Sequence, residues 1–230
     1  MAYVPAILDI MKTLIIIPAY NEAAAIALLA QSIKAIGYDL LVIDDGSIDA
    51  TADLAKKHGA QVIAAAQKSG KGNALRMGFD YALKHKYDAV IAMDGDGQHD
   101  PSDIDRFIQC HQKTKAQVIN GNRMHAPRGM PWVRLATNAF MSWLISMVCR
   151  QPVPDTQCGF RFLTTDVLRN VHLESSDFEI ETEMLIKASK KGFKIASVPI
   201  QTIYRNEVSK IQPFKDTLRF IAYIIREMRS

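Results

Sequence analysis

Carboxylates are dense in one short stretch of the sequence, VIAMDGDGQHDPSDI at residues 90–104. A run of apolar and small residues leads directly into Asp94 and Asp96, and Asp100 follows a few residues later. Alternate residues that leave a strand can aim two carboxylates at one Mg²⁺ or Mn²⁺ ion, which keeps some waters and binds substrate phosphates. An Asp-x-Asp pair after an apolar strand is also typical of phosphatases that attack phosphorus with an aspartyl nucleophile. Both chemistries act on phosphate.

Residue identities around the pair distinguish these two alternatives from each other and from a calcium-binding loop. A calcium loop of the EF-hand type has Gly at its sixth position and Glu at its twelfth, but these positions hold His99 and Asp105. The phosphatase pair usually follows the first strand and precedes Thr or Val, whereas this pair follows the fourth predicted strand and precedes Gly97. The calcium loop is excluded, the aspartyl nucleophile is disfavoured, and a metal clamp remains. Asp100 and Pro101 are typical of a helix start, with Asp100 as the cap.

The elements that would position these acids alternate along the chain. Short apolar segments predict strands at 12–17, 40–47, 60–66, 87–94 and 116–123. Helical patterns fall at 21–37, 48–59, 72–86, 101–114, 132–148 and 213–230, and residues 177–204 are predicted to form a helix, a Gly and a strand in that order. This alternation predicts an α/β fold, with a mostly parallel central sheet and helices on both faces. Ligands of such sheets bind at the carboxyl ends of the strands.

Polar residues do follow four of the predicted strands. They form the clusters Pro18–Glu22, Asp44–Ser47, Asp94–Gln98 and Asn120–Arg123. Any one cluster could simply cap a helix, as Ser47 and Asp49 could. Four clusters that converge on one edge of a sheet indicate a binding site instead.

The overall composition narrows the possible classes of protein. The 230 residues suit one generous α/β domain, and 48% hydrophobic residues are ordinary for a soluble protein. The net charge of +4 does not indicate nucleic acid, but it favours an anionic substrate or a membrane surface. Three cysteines without CxxC spacing indicate a reduced, cytoplasmic compartment. No signal peptide is recognisable, and no apolar run reaches the roughly 18 to 20 residues that a membrane span needs.

Six motifs together resemble a known family. PAYNE, VIDDGSIDAT, GKGNALRMGF, MDGDGQHDPSDI, GNR and DTQCGFR resemble the inverting family 2 glycosyltransferases of the GT-A fold, over about residues 12–210. The likeness is greatest for the dolichyl- and polyprenyl-phosphate mannosyl- or glucosyltransferases. It implies a single GT-A domain at 1–230, with a nucleotide-sugar half at 12–123, an acceptor half at 124–212 and a C-terminal amphipathic helix at 213–230. The implied reaction moves a hexose from a GDP- or UDP-sugar to a polyprenyl or dolichyl phosphate, with Mg²⁺ or Mn²⁺ as cofactor.

The resemblance also implies roles for individual residues. The metal and diphosphate site would be formed by Asp94, Asp96 and Gln98. The nucleotide sugar would contact Pro18, Tyr20, Glu22, Asp45, Lys71 and Asp94. A lipid phosphate is already an anion, so it needs cations to hold it rather than a strong base. The candidate cations are Arg123, Arg134, Arg205 and Lys210. Asp155 would lie near the reacting centre, where it could orient the acceptor, act as a base or only shape a turn, and Asp96, Asp155 and Arg123 are the catalytic candidates.

The helix at 132–148 raises the question of a membrane. Polar residues recur every four positions on this otherwise apolar segment, from Arg134 to Arg150. The helix could therefore belong to the core or lie at a bilayer surface, where Trp and Met are at home. Any membrane contact is expected to be peripheral, on the cytoplasmic face, and the apolar stripes could equally serve a homodimer. The acidic pair Glu179 and Glu181 is expected to cap a helix or to pair with Lys187 or Arg161.

Other functions remain open at this point. A family 2 enzyme of cell-envelope polysaccharide synthesis would use a saccharide acceptor, and a non-catalytic relative would only bind lipid or a partner. A nucleotide-sugar pyrophosphorylase would share the fold, but it should carry a Gly-rich, Arg-containing loop after the first strand. The sequence PAYNEAAA lacks such a loop.

Overall fold

The computed structural model describes residues 11–125, 132–177, 179–201 and 203. Within these ranges the strands are β1 Thr13–Ala19, β2 Asp39–Asp44, β3 Gln61–Ala64, β4 Ala89–Ala92, β5 Val118–Asn122, β6 Arg161–Thr164 and β7 Ile195–Pro199. The helices are α1 Ala23–Ala35, α2 Thr51–Lys57, α3 Lys71–Lys84, α4 Ile104–Thr114, α5 Trp132–Cys149, α6 Thr165–Asn170 and α7 Ile180–Lys190. A short 3-10 turn, Pro101–Asp103, precedes α4. The predicted helix at 213–230 lies outside the described residues.

All seven strands form one sheet, in the order β3-β2-β1-β4-β6-β5-β7. Only β6 runs antiparallel to its two neighbours, and the other pairings are parallel. The carboxyl ends of the six parallel strands and the amino end of β6 therefore meet at one edge, called the site edge below. The predicted mostly parallel sheet is confirmed.

The sheet is buried on both faces. Residues Leu14 to Ile17 of β1 are at most 1% exposed, as expected for a β-branched strand in the centre of a parallel sheet. On one face the core joins the sheet to α3, α5 and α7, through side chains such as Phe79, Ile145 and Leu185. On the other face α1 and α4 pack through side chains such as Ile33 and Phe107. Helices therefore cover both faces, as the sequence predicts.

Two elements were not predicted from the sequence. Strand β6 has four residues and begins with Arg161, which is 1% exposed. A charged residue at a fully buried strand position hides the apolar pattern that would otherwise identify the strand. The six-residue helix α6 follows it directly, without a turn signal between the two.

Helix α5 forms where it was predicted, but it buries polar and apolar side chains together and exposes several large apolar ones. The polar residues Asn138 and Ser142 are buried, at 7% and 4% exposure. Met141, Ile145 and Cys149 are buried beside them. A second apolar face is exposed, and it carries Trp132, Val133, Phe140, Trp143 and Met147, each more than half exposed. In the part of the chain that the structure describes, no helix has the length and apolarity needed to cross a membrane.

Candidate active site

The loops after β1 and β2 are joined by side chain to backbone hydrogen bonds. The Ser47 hydroxyl accepts from the Asn21 N–H at 2.9 Å, and the Asn21 side-chain oxygen accepts from the Ile48 N–H at 2.9 Å. The Glu22 N–H donates to the Thr51 hydroxyl at 2.8 Å. The Ser47 hydroxyl therefore links two strand ends and does not cap α2, whose N-cap position is Ala50.

Asp45 lies directly after β2 and is only 4% exposed. One of its carboxylate oxygens accepts from the Ser69 N–H and the Ser69 hydroxyl, both at 2.7 Å, and the other accepts from the Gly70 N–H at 2.9 Å. Asp45 therefore fixes the loop that leads into α3. Nearby, the Lys68 ammonium lies 4.0 Å from the centre of the Tyr20 ring, a cation–π contact at the same edge.

Lys71 begins α3 and is the centre of a three-residue charge cluster. Its ammonium pairs with Asp94 and, at 2.7 Å, with Glu181 of α7. Burial alone would lower the pKa of Lys71, but the Asp94 and Glu181 carboxylates outweigh it and raise that pKa. Burial alone would raise the pKa of Asp94, but Lys71 outweighs it, and that pKa is lowered. Lys71 and Asp94 are therefore both charged at neutral pH.

The remaining residues of the DGDGQHD segment separate into two groups. The Asp96 carboxylate accepts from the Gln98 N–H at 2.9 Å, which turns the chain back at the site edge. Asp100 accepts from the Ser102 N–H and caps the 3-10 turn before α4, with Pro101 at its first position, so the predicted cap is confirmed. His99 is 3% exposed, stacks on Phe160, and its Nε2 atom lies 4.0 Å from the Asp94 carboxylate.

Gly159 leaves room for the Asp94 carboxylate because it has no side chain. A Cβ atom at this position would lie 2.7 Å from the Asp94 Cγ atom, which is closer than real Cβ contacts allow. The chain leading into β6 therefore passes directly against the candidate metal ligand. In the sequence Gly159 belongs to the motif DTQCGFR, and its contact with Asp94 was not predicted.

On the acceptor side, Arg123 is held by Asp155. The Arg123 Nε and Nη2 atoms donate to the two Asp155 carboxylate oxygens at 2.8 and 2.9 Å, and the Arg123 N–H donates to one of them at 3.0 Å. Asp155 is completely buried, and it also accepts from the Gln157 N–H at 3.2 Å. Burial alone would lower the pKa of Arg123, but the Asp155 hydrogen bond outweighs it and raises that pKa. A bidentate pair of this kind fixes the guanidinium plane.

Most of the predicted site residues lie at the site edge, but one lies in α5 and two lie outside the described residues. Pro18, Tyr20, Glu22, Asp45, Lys71, Asp94, Asp96, Gln98, Arg123 and Asp155 lie at or beside the site edge. Arg134 lies in the first turn of α5, and Arg205 and Lys210 lie outside the described residues. Glu181 was ranked low from the sequence, with Lys187 or Arg161 as its expected partner, but its carboxylate pairs with Lys71. Lys187 pairs with Glu183 instead, at 2.7 Å.

Comparison with known proteins identifies the family to which the chain belongs. The Glycosyl transferase family 2 domain matches residues 14–171. The chain is 30% identical over 209 residues to an undecaprenyl-phosphate mannosyltransferase of Micrococcus luteus, with 85% of each protein covered. It is also 30% identical over 213 residues to a UDP-N-acetylglucosamine–dolichyl-phosphate N-acetylglucosaminyltransferase of Methanococcus voltae, covering 83% of this chain and 85% of that protein.

Among solved structures, the fold matches glucosyl-3-phosphoglycerate synthase from Mycobacterium tuberculosis, crystallised with Mn²⁺, UDP and glucosyl-3-phosphoglycerate. The TM-score is 0.74 at 21% identity, and the match covers 94% of this chain and 80% of that one. At this identity the likeness shows the fold alone, which is the GT-A fold that the sequence motifs imply. Fold, site edge and family match lead to one assignment: the chain is a glycosyltransferase and belongs to glycosyl transferase family 2.

Proposed function

We propose that this enzyme transfers a hexose from a GDP- or UDP-sugar to a polyprenyl phosphate, with inversion at the anomeric carbon. The observation that carries the proposal is the proximity of a donor-side carboxylate and an acceptor-side cation. Asp94 follows β4 and Arg123 follows β5 at the site edge. Burial raises the pKa of Asp94, but Lys71, His99 and, to a smaller extent, Arg123 lower it. The names of the Micrococcus luteus and Methanococcus voltae relatives support a lipid phosphate as the acceptor.

The donor-side residues fit a divalent metal ion. Among the described residues, the Asp96 carboxylate has a single hydrogen-bond donor, the Gln98 N–H, so it retains lone pairs for a ligand. Those residues contain no group of three or more His, Cys, Asp and Glu that could hold an ion by themselves. This suits Mg²⁺, which is commonly bound by one or two carboxylates and completed by water and substrate phosphates. Asp94, Asp96 and Gln98 would hold the ion, which when bound would neutralise charge on the departing diphosphate.

Other residues would then bind the rest of the donor. The Lys71 ammonium lies beside Asp94, where it can neutralise a phosphate oxygen. Asp45 and the loop that it fixes would form the wall of the nucleoside pocket, with Pro18, Tyr20 and Glu22 opposite. These assignments follow the family resemblance and the shared position at the site edge.

The acceptor half supports a direct displacement without a strong base. An oxygen of the lipid phosphate attacks the anomeric carbon, the new C–O bond forms, and the nucleoside diphosphate departs with the electron pair of the bond that breaks. The guanidinium of Arg123 would orient the attacking phosphate, since its plane is already fixed. Asp155 accepts four hydrogen bonds from Arg123 and Gln157, so it fits a role in positioning Arg123 better than that of a base.

Peripheral contact with a membrane is part of the proposal. The exposed apolar face of α5 carries two tryptophans, which favour the bilayer interface. An open groove of about 400 Å³ lies beside this face, between α5 and Pro152–Pro154, and Met124 lines it next to Arg123 in the chain. The groove would receive apolar chain from a lipid whose phosphate is held at Arg123.

The proposal is tested by acceptor competition. The enzyme is incubated with Mg²⁺ or Mn²⁺, a panel of nucleotide sugars, and a mixture of polyprenyl phosphate and saccharide acceptors. We expect a lipid-linked hexose from one donor, whose yield disappears with a chelator. Transfer to a saccharide with no lipid-linked product would instead support the role in polysaccharide synthesis.

A further inference from the structure

Glu181 contacts the site from α7, and none of the roles above explains its position. Its carboxylate lies 2.7 Å from the Lys71 ammonium, and its side chain is 11% exposed. Lys71 pairs at the same time with Asp94, at the end of β4. One ammonium therefore joins two carboxylates from distant parts of the chain.

The backbone holds both ends of the Lys71–Glu181 pair in place. The buried Arg161 donates to the Glu181 carbonyl oxygen and also to the Thr156 and Cys158 carbonyl oxygens, at 2.7 and 2.9 Å. At the other end, the Gly72 N–H next to Lys71 donates to the carbonyl of Ser176, in the segment before α7, at 2.7 Å. The starts of α3 and α7 are thereby fixed to one another, and the Lys71 ammonium has a defined partner.

The charges explain why two carboxylates are useful. A metal ion that recruited Asp94 would remove one of the carboxylates that pair with a largely buried ammonium. Breaking a buried ion pair in this way is strongly unfavourable. With Glu181 in place, Lys71 keeps one ion pair throughout, and Asp94 is released at a lower cost.

We propose that Glu181 is a positioning residue for donor binding. Glu181 keeps its contact with Lys71 when a nucleoside diphosphate enters, so that the ammonium exchanges the Asp94 carboxylate for a diphosphate oxygen. The inference rests on the proposed function, because it requires a nucleoside diphosphate as the ligand. The side chain of Glu181 acts through Lys71 and does not touch the reacting atoms.

The test measures the affinity of the intact protein for UDP and for GDP with Mg²⁺ and without acceptor, by calorimetry. Glu181→Gln should weaken the affinity on the order of tenfold, which is within the range of coupling between neighbouring charges. Glu181→Asp keeps the charge and should restore part of the affinity. Glu179→Gln is the matched control, because Glu179 directly precedes α7 and has no ion pair with the described residues. It should bind like the wild type.

A double-mutant cycle separates positioning from a general structural role. If Glu181 acts through Lys71, adding Glu181→Gln to Lys71→Met should cause no further loss of nucleotide affinity. Wild-type affinity in Glu181→Gln, or a full additional loss in the double variant, would overturn the inference and leave the proposed function standing. If the wild type bound neither nucleotide, both the inference and the proposed donor would be wrong.

Discussion

Gly159 gives the most demanding test of the site geometry. A Cβ atom there would lie 2.7 Å from the Asp94 Cγ atom. Carbon atoms in favourable contact are about 3.5–4.0 Å apart, so Gly159→Ala should move the Asp94 carboxylate by about 1 Å. The Asp94 carboxylate pairs with Lys71 and lies 4.0 Å from the His99 Nε2 atom, so this shift also disturbs the ion pair between Asp94 and Lys71.

We expect this shift to reduce activity much more than stability. A misplacement of about 1 Å can cost on the order of a hundredfold in rate, so kcat/KM for the donor should fall by about two orders of magnitude. Overpacking by one methyl group typically costs only about 1–3 kcal/mol of unfolding free energy. The variant should therefore fold and yet be nearly inactive.

The matched control is Gly78→Ala, in α3. Its Cβ atom would lie 2.6 Å from the Ile16 Cγ2 atom, so it overpacks the core without touching a carboxylate. Both variants are compared by chemical denaturation and by donor turnover at saturating acceptor. Gly78→Ala should lose stability but keep kcat/KM within a few-fold of the wild type. Wild-type turnover in Gly159→Ala, or equal losses of activity in the two variants, would refute the reasoning.

Three further predictions concern the acceptor side, the charge cluster and the exposed helix. Asp155→Asn removes the buried partner of Arg123, so it should lower the unfolding free energy by about 3–5 kcal/mol and raise the KM for acceptor but not for donor; an unchanged acceptor KM would contradict the positioning role. Burial raises the pKa of Asp94, but Lys71 and, to a lesser extent, His99 outweigh it and lower that pKa to about 2, so the pair of Asp94 and Lys71 stabilises the fold above about pH 4 and its contribution is lost as the pH falls toward 2. In acid titrations followed by circular dichroism, the stability difference between wild type and Lys71→Met should shrink over that range, and a constant difference would argue against the ion pair. Trp143→Ser should weaken binding to vesicles that contain polyprenyl phosphate, while unfolding free energy changes by no more than about 0.5 kcal/mol, since this side chain is more than half exposed; unaltered vesicle binding would exclude this residue from the membrane contact.

Much of the fold could be predicted because its strands and helices alternate with clear apolar periods. Strands β1 and β2 are continuous apolar runs rich in β-branched residues, so these strands and their parallel arrangement follow from the sequence. Strand β6 escaped prediction because its first buried residue is Arg161, whose donors are satisfied by three carbonyl oxygens. Two of these carbonyls belong to the loop directly before β6, and the third belongs to Glu181 in α7. The residues of β6 alone therefore do not reveal that the buried Arg161 is paired.

Part of the residue arrangement at the site edge was also predictable. The division of the acidic segment into Asp94 and Asp96 on one side and the Asp100 cap on the other agrees with the structure. The partnership of Lys71 with Glu181 was not predictable, because 110 positions separate the two residues and only the packing of α7 brings them together. The burial of Asn138 and Ser142 on α5 was also not predictable, since a polar stripe on an apolar helix fits either orientation when its surroundings are unknown.

The central claim is that the carboxylates after β4 support metal-dependent hexose transfer to a lipid phosphate. It is tested most directly by the yield of lipid-linked hexose from the wild type, Asp96→Ala and Asp100→Ala under identical conditions. Asp100 belongs to the same segment but only caps a helical turn, so its loss should cost about 1 kcal/mol of stability and leave product formation intact. We expect product from the wild type and Asp100→Ala, and none from a folded Asp96→Ala. Product formation by Asp96→Ala at the wild-type rate, or a wild type that forms no lipid-linked hexose with any donor, would contradict the account.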